Sequence, residues 1–176
     1  MSPGGPSRIP RSTPDRNDIP AAALPGISFE TGRVKLSPVR VRLISGAYFS
    51  AAHRLHREDW DEETNRRVFD KCNNIHGHGH TYELEVTVEG EIDPETGYVM
   101  DFGDLKRSVH EHVVRRLDRR HLNYDVDFLS GVNPTAENIA VRIWEQLQAR
   151  VKPARLVRIS LNETEKNRVV YEGVAT

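Results

Sequence analysis

The chain holds a single cysteine among its 176 residues. An internal disulfide is excluded, and with it a disulfide-stapled secreted fold, so a reducing, cytoplasmic setting is expected. No apolar run approaches the roughly 20 residues of a transmembrane helix, and no apolar secretory core follows Met1. Neither sign of charge is in excess. The formal net charge of -1 gives no general argument for a nucleic-acid or membrane partner. Proline is scarce past residue 38, because seven of the ten prolines fall within residues 1–38. That proline-rich stretch lacks any hydrophobic period. Residues 1–37 are therefore expected to be a disordered or loosely attached tail, and residues 38–176 a single domain. Arg8, Arg11 and Arg16 would suit a targeting segment, but Asp15, Asp18 and the proline density argue against an amphipathic targeting helix.

What is present is concentrated in Cys72-Asn73-Asn74-Ile75-His76-Gly77-His78-Gly79-His80, which holds the lone cysteine and three of the eight histidines. Imidazole suits zinc, and a catalytic zinc site uses three protein ligands with one position open. A second histidine source lies upstream. Val39, Val41 and Leu43 alternate with Arg40 and Arg42, and the same parity runs through Ala47, Phe49 and Ala51 to His53, with Ser45-Gly46 as a candidate bulge. Side chains two apart share a face of a strand, so His53 is expected at the end of a buried face. Downstream, Tyr82, Leu84, Val86 and Val88 alternate with polar residues, and extending that parity backwards reaches His80 and His78. Gly77 and Gly79 would let the backbone bend around a metal. The expected ligands are His53, His78 and His80, with His76 at the surface.

The remaining elements follow from pattern. A turn at residues 93–97 and a short strand at Tyr98-Val99-Met100 precede a helix capped by Asp101, with the stripe Phe102, Leu105, Val109, Val113 and Leu117. A second helix begins near Asn133-Pro134-Thr135 and buries Ile139, Ile143, Trp144 and Leu147; Pro153 closes it. A strand then carries Val157, Ile159 and Leu161 on one face, with Glu163 next in parity. Arg168–Tyr171 returns after a short hairpin. The expected class is α+β: an antiparallel four-stranded sheet with two helices on one face, the other face needing a partner. Thr135 and Glu137 suit a helix first turn, and Asp118 with His121 sits in a basic run at a helix end.

Taken together, these residues resemble the 6-pyruvoyl-tetrahydropterin synthase family. The resemblance rests on Phe49 to Leu55, Cys72 to Tyr82, Gly90 to Phe102, Leu117-Asp118 with Leu122-Asn123, Pro134 to Asn138, Asn162 to Thr164 and Val169 to Gly173. It spans roughly residues 40–173. It implies a tunnelling fold in which subunits close a barrel as trimers that stack into a homohexamer, with sites between subunits. It further implies Zn(2+) on His53, His78 and His80. The substrate would be 7,8-dihydroneopterin triphosphate, with Glu163 anchoring the pterin ring and Thr135 and Glu137 nearby. Zinc would polarise the side-chain oxygens of the substrate, while the Cys72 thiolate moves protons between carbon and oxygen.

One departure stands out. The family usually follows the aspartate with a histidine that completes a Cys–Asp–His relay, and here Asp118 is followed by Arg119. Arginine cannot shuttle protons, so His121 or Arg119 is expected to take over part of that relay. The gap between Cys72 and His78 favours the pyruvoyl-forming type, of tetrahydrobiopterin biosynthesis. The alternatives are a 6-carboxy-tetrahydropterin synthase of queuosine and deazapurine pathways, or a catalytically impaired zinc- and pterin-binding homologue.

Overall fold

Alternating side chains set two long strands, and the rest of the domain is arranged around them. The computed structural model describes residues 27–30, 33–36 and 39–174. Two units are distinguished, residues 1–39 and 40–176. In the first, β1 (Ile27–Glu30) pairs antiparallel with β2 (Arg33–Leu36). The rest of the expected tail, and the candidate targeting segment, lies outside the described residues.

The second unit is built on β3 (Arg40–His53) and β4 (His78–Glu91), followed by β6 (Arg155–Thr164) and β7 (Asn167–Tyr171). These four pair antiparallel, as expected from the hairpins. The sheet nevertheless has a fifth member, which corrects the four-stranded antiparallel expectation. β5 (Arg120–His121) docks parallel to β3 at Ala51 and Ala52, giving the order β5-β3-β4-β6-β7. The amides of Arg119 and Leu122 fix it by donating to the carbonyls of Ser50 and Ala52. Two residues are too short for any periodicity to reveal them.

Strand parity is obeyed where the ladder is regular and fails where it is not. Leu43, Ser45, Phe49, Ala51 and His53 are buried on one face of β3, and the β3–β4 ladder runs through Ser45 and Gly46 without a bulge. The irregularity lies between β4 and β6 at Thr87/Val88, where Val88 pairs with Leu156 and Thr87 with Arg158. Val157 is the extra residue, so Leu156 takes the buried position expected for Val157. An extra residue in one strand shifts the faces on either side of it.

Helix α2 (Phe102–Val109) continues through a π turn at His110–Val114 into α3 (Arg115–Leu117), and α4 (Ala136–Leu147) lies further on. Leu105, Val109, Val113, Leu117, Ile139, Ile143 and Leu147 are all buried and share one core with Phe49, Tyr82, Leu84 and Ile159. Phe102, placed on the stripe by periodicity, is 48% exposed instead, one residue past the Asp101 cap. Tyr98–Met100 forms no strand. A further helix, α1 (Glu62–Phe69), carries no apolar stripe and buries only Asn65. Its start is set by Asp61, whose carboxylate accepts from the Thr64 amide. The sheet face away from the helices carries Ile44, Tyr48 and Val170, each at least half exposed. No described helix is long and apolar enough to cross a membrane.

Candidate metal centre and its flanking loops

His53 and His78 lie directly opposite one another in the β3–β4 ladder, and His80 is opposite Ala51. Residues opposite each other point to the same face, and i and i+2 do too. Three rings therefore converge on the core side at one end of the sheet. One nitrogen of each lies within 4.8 Å of the others. His53 Nε2 is 3.1 Å from His78 Nε2. Three nitrogens held ~2.0–2.1 Å from one tetrahedral zinc stand roughly 3.3 Å apart, so small side-chain rotations complete the cradle.

The protonation pattern agrees with that use. His53 Nδ1 is 2.8 Å from the Pro134 carbonyl, which can only accept, so Nδ1 carries the hydrogen and Nε2 presents a lone pair to the cradle. Burial holds the His53 pKa down from 6.5 to about 4, against the pull of that carbonyl, so the ring is neutral as a ligand must be. Burial also lowers His78. His80 Nε2 is buried without a hydrogen-bond partner, an orphan that a cation would satisfy. The donor set and its geometry fit a zinc ion.

Gly77 closes this end of the site. Its φ is +71°, and a Cβ there would come 2.7 Å from the His53 carbonyl and 2.9 Å from His121 Nε2, so no other residue fits. Gly79 sits in regular strand with ordinary clearance and makes no bend. His76 is exposed, as expected.

Glu163 stands at the edge of the cradle. Its Oε1 is 3.7 Å from His53 Nε2 and 3.9 Å from His80 Nε2, and its side chain is 21% exposed. It occupies the irregular step between Asn162 and Thr164 in the β6–β7 ladder. Thr135 caps α4, its hydroxyl accepting from the Asn138 amide, and the neighbouring Pro134 supplies the carbonyl that orients His53. Glu137 is exposed in the first turn of α4.

The proposed relay residues are more scattered. Cys72 lies in a single 3₁₀ turn, Asp70–Asn73, that follows α1. Burial pushes its thiol up, and the carboxylates of Glu163 and Asp70 add to that. A divalent cation in the cradle would act in the opposite direction. Asp118 accepts from the Ser50 amide at 2.8 Å and lies 3.7 Å from Arg119 Nε. Arg119 is 90% exposed and sits at φ +58°. His121 packs under Gly77 and against the Tyr124 ring, with Nδ1 buried and unpartnered. Among the described residues, Cys72 makes no hydrogen bond to Asp118 or His121.

The segment leaving β3 was not read from sequence as part of the site. Arg54, Leu55, His56 and Arg57 have no strand partner, yet each amide donates to a different segment, two to loops, one to the 3₁₀ turn and one to helix α1. The acceptors are Asn123 Oδ1, the Cys72 carbonyl, Asn133 Oδ1 and Asn65 Oδ1. Three asparagine side chains thus do what a neighbouring strand would do. Asparagines at positions 65, 123 and 133 carry no periodic signal that could have announced this.

Comparison with known proteins follows the same outline. The family model for 6-pyruvoyl tetrahydropterin synthase matches residues 43–174. The 6-pyruvoyl tetrahydrobiopterin synthase of Homo sapiens is 46% identical over 125 residues, covering 71% of this chain and 86% of that protein. The dihydroneopterin monophosphate aldolase of Pyrococcus furiosus is 42% identical over 126 residues, covering 71% and 91%. The solved structure of Caenorhabditis elegans 6-pyruvoyl tetrahydropterin synthase superposes with a TM-score of 0.74 at 38% identity, covering 78% of this chain and 98% of that one. A match of this extent and identity makes the chain a member of the 6-pyruvoyl tetrahydropterin synthase family.

Proposed function

We propose that this synthase-type lyase converts 7,8-dihydroneopterin triphosphate to 6-pyruvoyl-tetrahydropterin with release of triphosphate, and that its cofactor is zinc held by His53, His78 and His80. The observation that carries the reading is the convergence of three imidazole nitrogens within 4.8 Å, with Glu163 beside them. When bound, zinc would act as a Lewis acid toward the hydroxylated side chain of the substrate. Glu163 accepts hydrogen bonds from the pterin ring and sets its orientation, with Thr135 and Glu137 at the mouth of α4 contributing to binding. Cys72, as thiolate, takes a proton from the side-chain carbon next to the ring; the ring gains hydrogens at C6 and N5 as that carbon becomes a ketone, and loss of triphosphate from the chain end lets the remaining carbinol tautomerise to the second ketone. No external redox cofactor is needed, because the carbinol next to the ring is oxidised to a ketone while the dihydropterin ring is reduced to the tetrahydro level, an internal transfer.

Asp118 and His121 complete the proton path in this reading, with the contributing loop coming from a neighbouring subunit. A homohexamer of two stacked trimers supplies that neighbour and covers the sheet face that carries Ile44, Tyr48 and Val170. The deciding experiment is incubation of the zinc-loaded protein with 7,8-dihydroneopterin triphosphate, followed by mass spectrometry. Triphosphate and 6-pyruvoyl-tetrahydropterin are expected. A carboxy product or hydroxymethyl-dihydropterin would reassign the outcome to a carboxy synthase or an aldolase, and no triphosphate release would sink the lyase reading. If His121→Ala leaves turnover unchanged while Cys72→Ala abolishes it, His121 has no part in the relay.

A further inference from the structure

Cys72 is a reactive group that no long element holds. Its turn is four residues long, and a 3₁₀ turn of that length has little stability of its own. The turn begins at Asp70 with φ +43° and runs out into exposed Asn74, Ile75 and His76. What fixes it is a set of three bonds to the segment that leaves the metal ligand His53. The Leu55 amide donates to the Cys72 carbonyl at 2.8 Å. Arg54 Nε donates to the Asn73 carbonyl at 3.1 Å. His56 Nδ1 lies 2.9 Å from Asn73 Oδ1, which can only accept, so the ring donates.

Two of these bonds use main-chain carbonyls that any residue would offer. The third depends on the side chain at position 73, which is 7% exposed while the residues on either side of it are more open. A buried amide beside a solvated loop calls for a reason. We propose that Asn73, through its bond with His56, is a positioning residue that holds the Cys72 thiol in register with the histidine cradle. The assignment rests on the reading of Cys72 as the proton-transfer group. The cradle itself does not need Asn73, because its three ligands come from β3 and β4. Loss of the pin therefore separates thiol placement from metal binding.

The test uses Asn73→Ala, His56→Ala, the double variant and His56→Asn, whose amide N–H replaces the ring donor. Four quantities are read: kcat and KM for triphosphate release, zinc content, and the rate at which iodoacetamide alkylates Cys72, the chain's single cysteine. Asn73→Ala and His56→Ala should each lower kcat by about 10²-fold, the effect of roughly 1 Å of misplacement, with KM and zinc content little changed. Alkylation of Cys72 should become several-fold faster as the turn loosens. The double variant should be no worse than either single one, and His56→Asn should recover most of kcat.

An unchanged kcat and alkylation rate in Asn73→Ala overturns the proposal. So does a loss of kcat that tracks loss of zinc, or a His56→Asn variant as damaged as His56→Ala. If Asn73→Ala does not fold, the contrast between the two His56 variants decides. Should the unaltered protein release no triphosphate, the functional reading fails on its own. The alkylation and zinc measurements then judge the pin, and unchanged alkylation rejects it.

Discussion

The metal cradle and the Cys72 turn are neighbours built on different physics. The cradle is made of side chains on two paired strands. Once one face is buried, their direction follows from parity, and the ladder places His53 against His78. The Cys72 turn is held by hydrogen bonds from residues that resemble ordinary loop polar groups. The first kind of site is rigid because its backbone is shared with the core. The second is only as rigid as the few bonds that tie it down. The proposed function divides the work between them, a fixed cation in the cradle and a movable proton at the turn.

That contrast can be broken from either side. The largest effect should come from removing zinc. Chelation should lower turnover by about 10³-fold or more, since Lewis-acid stabilisation amounts to several kcal/mol, and added Zn(2+) should restore it. Activity that survives complete chelation would move the chemistry away from the cradle. Cys72→Ala should cost about 10²–10⁴-fold in kcat while zinc content, measured by atomic absorption, stays at the unaltered level. If zinc left along with the thiol, the two regions would be one site.

The third test concerns pH. His53 is held neutral, its pKa brought from 6.5 to about 4 chiefly by burial. Between those values the unfolded chain accepts a proton that the native ring refuses. Stability of the metal-free protein should therefore fall as pH drops from 6.5 toward 4, and this group adds no pH dependence above 6.5. Urea midpoints across that range, compared with His53→Gln, should show the slope shrink in the variant.

The smallest effect is structural and confined to the loop side. Asn65 donates from Nδ2 to the carbonyls of Arg57, Trp60 and Asp61 and accepts from the Arg57 amide. Asn65→Ala should cost about 1–3 kcal/mol of stability by leaving buried groups unpaired. Zinc content should not change. A measured loss of zinc in this variant would show that the cradle leans on the loops more than the ladder implies.

Much of the sheet and of the cradle was legible because it obeys periods. Tyr82, Leu84 and Val86 announced β4, and their parity carried back to His80 and His78. The buried stripe of Leu105, Val109, Val113 and Leu117 was legible for the same reason, although it did not reveal the π turn inside it. Helix α1 was not, because it is fastened by the Asp61 cap and one buried amide and has no stripe to read. Val157 was misplaced because a single bulge reverses parity, and bulges depend on the partner strand. Gly79 was credited with a bend that Gly77 alone makes.

The sequence by itself determined the fold class, the three histidines and the presence of Cys72 and Glu163, because residue type and local period are properties of the chain. Tertiary structure decided which histidines stand opposite each other, that Pro134 orients His53, and that Asn73 and His56 meet across 17 residues. Those are long-range pairings, fixed by the register of strands and the closure of loops, and no local pattern encodes them.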